Sequence, residues 1–142
     1  MSGGPSSAVV PAYRDPRSLL LVGTGGAVGT LARWGVSEAV PDQAGWPLAT
    51  LAVNLLGSFV LGYLLESLLR KGTETRELRR RRLAAGTGFC GGFTTYSGFA
   101  VQLDRLVSGG SSGLALGYAA ASLVGGLLAA FLGLVLAART AR

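Results

Sequence analysis

The residues that could do chemistry in this chain are polar groups set in apolar surroundings. The densest group is Gly86–Phe99, which reads GTGFCGGFTTYSGF and lies inside an uncharged run of 21 residues from Leu83 to Leu103. A run of that length can cross a bilayer as a helix. Its middle is poor helix material, because Gly91 and Gly92 are adjacent and Thr94, Thr95 and Ser97 follow. Glycine costs about 1 kcal/mol against alanine in a helix interior. A span that breaks at mid-membrane frees carbonyls and amides that lipid cannot satisfy, so a break survives only inside protein or beside a polar cavity. Freed carbonyls suit a hard cation, and freed amides and hydroxyls suit an anion. Close helix packing through small residues accounts for the same composition. Either reading fits the segment taken alone.

Three further polar features stand in apolar runs. Asn54 lies in the uncharged run Gln43–Leu65. A buried amide needs partners, so Asn54 either glues helices together or lines a polar path. Arg33 interrupts the first apolar run after the 15 uncharged residues Ser18–Ala32. A charge within a span is costly unless it faces water or a polar neighbour, which makes Arg33 a functional candidate. Snorkelling from a helix end to the interface is the alternative. Tyr118 and Ser122, four residues apart, form a polar stripe on one helix face.

Composition excludes several function classes. The 142-residue chain is 49% hydrophobic and 14% charged, with a mean hydropathy of +0.47. Soluble domains carry about 25% charged residues, so a small polytopic membrane protein is expected. There is no histidine and a single cysteine, Cys90. No disulfide within the chain and no thiolate metal cluster can form, and Cys90 is expected to be a small packing residue. No nucleophile–base pair stands out, so an enzyme is not expected. Gly23–Gly29 (GTGGAVG) misses the dinucleotide fingerprint, since the third glycine falls on Val28 and no strand precedes it. Gly25 and Gly29 are spaced for close helix contact instead. The formal net charge of +6 comes from basic residues flanking apolar spans. It therefore reads as a topology signal rather than a nucleic-acid surface.

The elements that must position these residues follow from the apolar runs. Residues 1–17, rich in Gly, Pro, Ser and Ala, are expected to be a disordered tail. A cleaved signal peptide is not expected there, because the following apolar run is long and nothing downstream looks like a secreted domain. Spans are expected at about 18–38, 46–68, 83–105 and 113–138, within a four-span domain of residues 18–138, with 139–142 as a C-terminal tail. Trp46, in a turn-rich loop, is an interfacial anchor. The last span carries small residues at every fourth position, Gly113, Gly117, Ala121, Gly125, Ala129, Gly133 and Ala137, which lets another helix come close. Four spans put both termini on one side. Eleven of the thirteen Lys and Arg then share that side, seven of them in the loop Arg70–Arg82. The positive-inside rule places both termini and that loop in the cytoplasm of a cell-membrane protein, in a single orientation.

Three segments together resemble the Fluc/CrcB fluoride channel family, and they cover most of Gly23–Ala137. They are Gly25-Gly26-Ala27 with Gly29 and Arg33, Ala49–Asn54 with Gly57-Ser58-Phe59, and Gly88–Gly92 continuing to Phe99. The resemblance implies an all-α fold of four transmembrane helices with the third broken at mid-membrane, paired as an antiparallel dimer. It implies passive export of fluoride through the dimer's pores. It also implies a structural, untransported Na⁺ at the dimer centre, held by the backbone carbonyls of Gly91 and Thr94. Asn54 matches the family's pore amide, and Tyr96 and Phe99 match paired aromatics whose positive ring edges face the anion. Tyr118 and Ser122 match a hydroxyl track, which Ser97 joins. Arg33 matches a basic residue near a pore entrance, and Thr50 a hydroxyl on the helix of Asn54.

Departures qualify the match. The family usually has Phe at the position of Tyr96 and a hydroxyl residue at that of Gly98. Many members have a weak Lys/Arg bias and insert both ways to form homodimers. The bias here is strong, so the expected partner is an oppositely oriented paralogue. An alternative reading is a non-conducting scaffold subunit of a heterodimeric channel. A proton-coupled exporter of similar size wants an acidic residue in the middle of its first span, but Glu38 stands near the end and the internal charge is Arg33.

Overall fold

The structure is a computed structural model and describes residues 14–140. The expected N-terminal tail thus falls mostly outside the described residues, as does Arg142. Of its last residues, Pro16 and Arg17 already belong to a helix. The described residues are all-helical, without a strand.

Helix α1 spans Pro16–Ala39, with Pro16 pre-set for the first turn and Asp15 as N-cap. Asp15 Oδ1 accepts from the Arg17 backbone N–H at 3.1 Å and Oδ2 from the Ser18 hydroxyl at 2.7 Å. Helix α2, Leu48–Leu69, starts behind Pro47, and the turn after it closes on Gly72 at φ +84. Thr75 caps α3, Arg76–Arg81, by accepting from Leu78 N–H. A π-helical segment, Arg82–Cys90, continues directly into the single turn α4, Gly91–Phe93. Thr94 and Thr95 are extended, at φ −81, ψ 160 and φ −148, ψ 116. Helix α5 then runs Tyr96–Ser108, and α6 runs Ser112–Thr140.

Three helices, α1, α2 and α6, are long and apolar enough to cross a membrane. The stretch expected as a third span, 83–105, is not one helix but two, joined by the extended pair Thr94–Thr95. The interruption does not fall where the double glycine suggested. Gly91 is helical at φ −64, ψ −35, and Gly91 and Gly92 both lie in α4. Glycine permits a break but does not require one. The hydroxyl residues that follow can bond to nearby backbone in place of the helical ladder.

Much of the packing sets small residues inside and large apolar ones outside, with Tyr118 and Val53 as large side chains that are fully buried. Helix α2 packs chiefly on α6, and α1 on the π segment and α4. Ala115, Gly133 and Ala137 are buried, whereas Leu116 and Leu127 are each 74% exposed on the same helix. Lipid tails are as apolar as leucine, so helices associate through close backbone approach rather than by hiding leucine. A Cβ at Gly62 would meet the Ala130 carbonyl oxygen, and one at Gly133 the Phe59 carbonyl oxygen. On α1, Gly25 and Gly29 face the Ala84 and Phe89 carbonyls in the same way.

Candidate functional site

The extended pair Thr94–Thr95 is held open by Asn54. Thr95 N–H donates to Asn54 Oδ1 at 2.8 Å, and Asn54 Nδ2 donates to the Thr95 carbonyl at 3.1 Å. In an unbroken helix Thr95 N–H would point at the Gly91 carbonyl. Its diversion to Asn54 leaves that carbonyl without its helical donor. The Thr95 side chain starts the next helix, its Oγ1 accepting from Gly98 N–H at 2.9 Å and lying 3.2 Å from the Ser97 hydroxyl. Thr94 closes the preceding turn, with its N–H and hydroxyl both on the Cys90 carbonyl.

Arg33 reaches the same region from α1. Its Nε donates to the Gly92 carbonyl at 3.1 Å, and Thr30 Oγ1 lies 3.5 Å from that oxygen. Arg33 is half-buried and bonded to main chain. The guanidinium thus satisfies one carbonyl near the break, which is a polar neighbour of the kind a charge within a span needs.

An open cleft of about 430 Å³ runs past the break, and Asn54, Gly91, Thr94, Tyr96, Phe99 and Ser122 line it. Tyr96 is 83% exposed. Its ring lies 6.1 Å from Phe99, and Phe99 lies 5.4 Å from Tyr118, so the three rings form a tilted row. Tyr118 is fully buried. Its hydroxyl and that of Ser122 are both buried, and beyond their weak interaction with each other neither has a hydrogen-bond partner of good geometry. Such poorly satisfied groups are uncommon and call for water, an ion or another unseen partner.

Four candidate residues stand outside the cleft lining: Thr50, Arg33, Ser97 and Tyr118. Tyr118 is tied to it through Phe99, and Ser97 through Thr95. Thr50 sits one turn before Asn54, near Gly98, where a Cβ would lie 3.6 Å from Thr50 Cγ2. Arg33 acts on Gly92 from the α1 side. Sequence reasoning missed the double role of Thr95, as N-cap and as the partner of Asn54. The available signal was threonine's strong preference for the N-cap position.

A hard cation is held by rings of carbonyl oxygens. The Gly91 carbonyl, released from Thr95, and the carbonyl of extended Thr94 have the chemistry for such a ring. Gly91 is also exposed, with open space where a Cβ would stand. Two carbonyls make only part of a coordination shell.

Comparison with known proteins gives a consistent result. The family described as CrcB-like protein, Camphor Resistance (CrcB), matches residues 20–134. A Leifsonia xyli protein named fluoride-specific ion channel FluC 2 is 46% identical over 128 residues, covering 90% of this chain and 88% of its own length. A Chlorobaculum tepidum protein named fluoride-specific ion channel FluC is 45% identical over 122 residues, covering 85% and 94%. A Mycobacterium bovis protein named fluoride-specific ion channel FluC 1 is 42% identical over 126 residues, covering 88% and 93%. These relatives are named as channels, not enzymes.

Proposed function

The chain belongs to the CrcB family of multi-pass membrane proteins, and from that membership we propose that it is a fluoride channel subunit. The observation that carries the reading is the pair of buried, poorly satisfied hydroxyls, Tyr118 and Ser122, beside a cleft with freed main chain. Fluoride is small and strongly hydrated. Crossing lipid requires donors that replace its water stepwise. The remaining Asn54 N–H, the positive edges of Tyr96 and Phe99, and the two hydroxyls supply that succession. Each of these groups is neutral, which favours binding weak enough for release. The sequence carries no nucleotide-binding fingerprint that suggests ATP coupling, and the proposed flux runs down the electrochemical gradient. In a cell this lowers cytoplasmic fluoride.

The channel has four spans, the third formed by the helix pair on either side of Thr94–Thr95. Both termini and the arginine loop are cytoplasmic, by their share of the positive charge. The carbonyls of Gly91 and Thr94 would hold a structural Na⁺. When bound it supplies fixed positive charge that favours an anion nearby. The same two carbonyls of an inverted second subunit would complete its shell in an antiparallel dimer. The charge bias inserts every copy of this chain the same way. In the cell the partner is therefore a similar chain of opposite orientation.

A second reading keeps the fold but not the flux. Asn54 spends its carbonyl oxygen and one N–H on Thr95, which favours a scaffold subunit that completes a partner's pore. Fluoride efflux from liposomes separates the two. A conducting subunit releases fluoride and not chloride, and Asn54→Asp or Tyr96→Ile in this chain slows release with the partner present. Release that neither substitution changes identifies the scaffold. No fluoride release from the chain with or without its partner rejects the channel reading.

A further inference from the structure

Where α1 begins and along α3, basic side chains outnumber the carboxylates beside them among the described residues. Arg17, Arg76, Arg79 and Arg80 line a cavity of about 260 Å³ whose lining holds one carboxylate, Asp15. Both Asp15 oxygens are engaged locally, by Arg17 N–H and the Ser18 hydroxyl. That carboxyl is held below its usual range, first by the Ser18 hydrogen bond and more weakly by the charge of Arg79. Setting Arg79 against Asp15 still leaves Arg17, Arg76 and Arg80. The neighbouring basic residues behave differently. Arg70 pairs with Glu66 at 2.7 Å, Arg81 with Glu77 at 3.0 Å and Arg82 with Glu74 at 2.8 Å. The loop thus sorts its arginines into a neutralised set and an uncompensated set.

The uncompensated set opens onto an apolar groove. A second cavity of about 300 Å³ shares Arg17 and Arg80 and continues along α1 past Leu20, Leu21 and Thr24. Leu20 is 67% exposed. Guanidinium groups present planar donor forks that suit phosphate oxygens. A free phosphate has no use for the leucine groove. A phosphate ester with acyl chains fills both parts, at the depth where a spanning helix meets the headgroups.

We propose that this is a binding site for an anionic phospholipid, with its phosphate among Arg17, Arg76 and Arg80 and an acyl chain along Leu20–Thr24. The proposal rests on the membrane setting alone and not on what the channel conducts.

Native mass spectrometry of the purified full-length protein tests it, with phosphatidylglycerol and phosphatidylcholine as probes. Phosphatidylglycerol stays bound and phosphatidylcholine does not. Arg17→Gln with Arg80→Gln weakens retention about thirtyfold, from the usual contribution of each interfacial arginine. Arg81→Gln with Arg82→Gln removes the same charge from the neutralised set and leaves retention within about threefold. Millimolar inorganic phosphate does not displace the lipid. Equal loss in the two double variants, equal retention of both lipids, or displacement by inorganic phosphate overturns the proposal. If the Arg17/Arg80 variant fails to fold, Arg76→Gln alone gives a smaller loss, about fivefold. No loss in that variant is equally decisive against the site. Because the readout is bound lipid, it is independent of fluoride efflux.

Discussion

Asn54 and Thr95, 41 residues apart, exchange two hydrogen bonds in the manner of adjacent strands: Thr95 N–H to the side-chain oxygen at 2.8 Å, and the side-chain nitrogen to the Thr95 carbonyl at 3.1 Å. A helix on its own would have no reason to stop at Thr95. The amide on α2 supplies main-chain partners that lipid cannot, and so permits the interruption.

Removing that amide orphans two main-chain groups together. Asn54→Ala is expected to destabilise the fold by about 2–6 kcal/mol, since each unsatisfied buried donor or acceptor costs about 1–3 kcal/mol. Hydrogen exchange at the Thr95 amide should quicken in step. An unchanged exchange rate there would mean that Asn54 does not hold the break.

Thr95 makes a second, separable contribution as the cap of α5. Thr95→Val removes the Oγ1 acceptor of Gly98 N–H and is expected to cost about 1 kcal/mol, while Thr95→Ser keeps the cap and most of the stability. Thermal unfolding in detergent distinguishes the pair. The same contact bears on Gly98, where a Cβ would come within 2.8 Å of Thr95 Cγ2. Gly98→Ser therefore restores a hydroxyl only by disturbing the cap, and is expected to lower the unfolding temperature.

Much of this architecture is legible in the residues, and the parts that are not have a common cause. The Gly25 and Gly29 spacing foretold close contact, and a Cβ at either position would strike the main chain of the facing π segment. The small-residue ladder of α6 was readable for the same reason, with Gly133 against Phe59. Both signals are periodic and local. The place of the break was not, because it depends on Asn54, distant in sequence. The double glycine drew attention three residues too early, since composition reports where a helix is weak and not where another helix offers it partners. Arg33 was visible as an anomaly, but its acceptor, the Gly92 carbonyl, becomes apparent only once α1 is packed against α4.

Close approach gives a paired test on α1. Gly29→Ala would drive a Cβ into the Phe89 carbonyl and within 2.9 Å of Phe93 N, whereas Gly23 has nothing within 4 Å. Gly29→Ala is expected to cost about 1–3 kcal/mol from overpacking. Gly23→Ala should be neutral or gain up to about 1 kcal/mol from helix propensity. Equal effects in unfolding experiments would mean that α1 does not seat against the π segment as described.

If Na⁺ is held at the Gly91 and Thr94 carbonyls, its removal should show as lost stability. The unfolding temperature should rise with sodium concentration, reaching about 2.7 kcal/mol of stabilisation at a hundredfold excess over the dissociation constant. A bulky organic cation at the same ionic strength should not substitute. Identical unfolding in the two salts would remove the cation from the account.

The proposed fluoride path passes the Asn54–Thr95 break and leaves along the Tyr118 and Ser122 hydroxyls of α6. Detergent removes the membrane that imposes orientation, so liposomes reconstituted from the purified full chain can contain inverted pairs. Fluoride efflux from such liposomes, read with a fluoride electrode, compares wild type with Tyr118→Phe plus Ser122→Ala. Efflux about fivefold slower or more in the variant, with unchanged unfolding temperature, is the predicted result, because two neutral donors contribute about 0.5–1.5 kcal/mol each. Efflux at the wild-type rate would contradict the path.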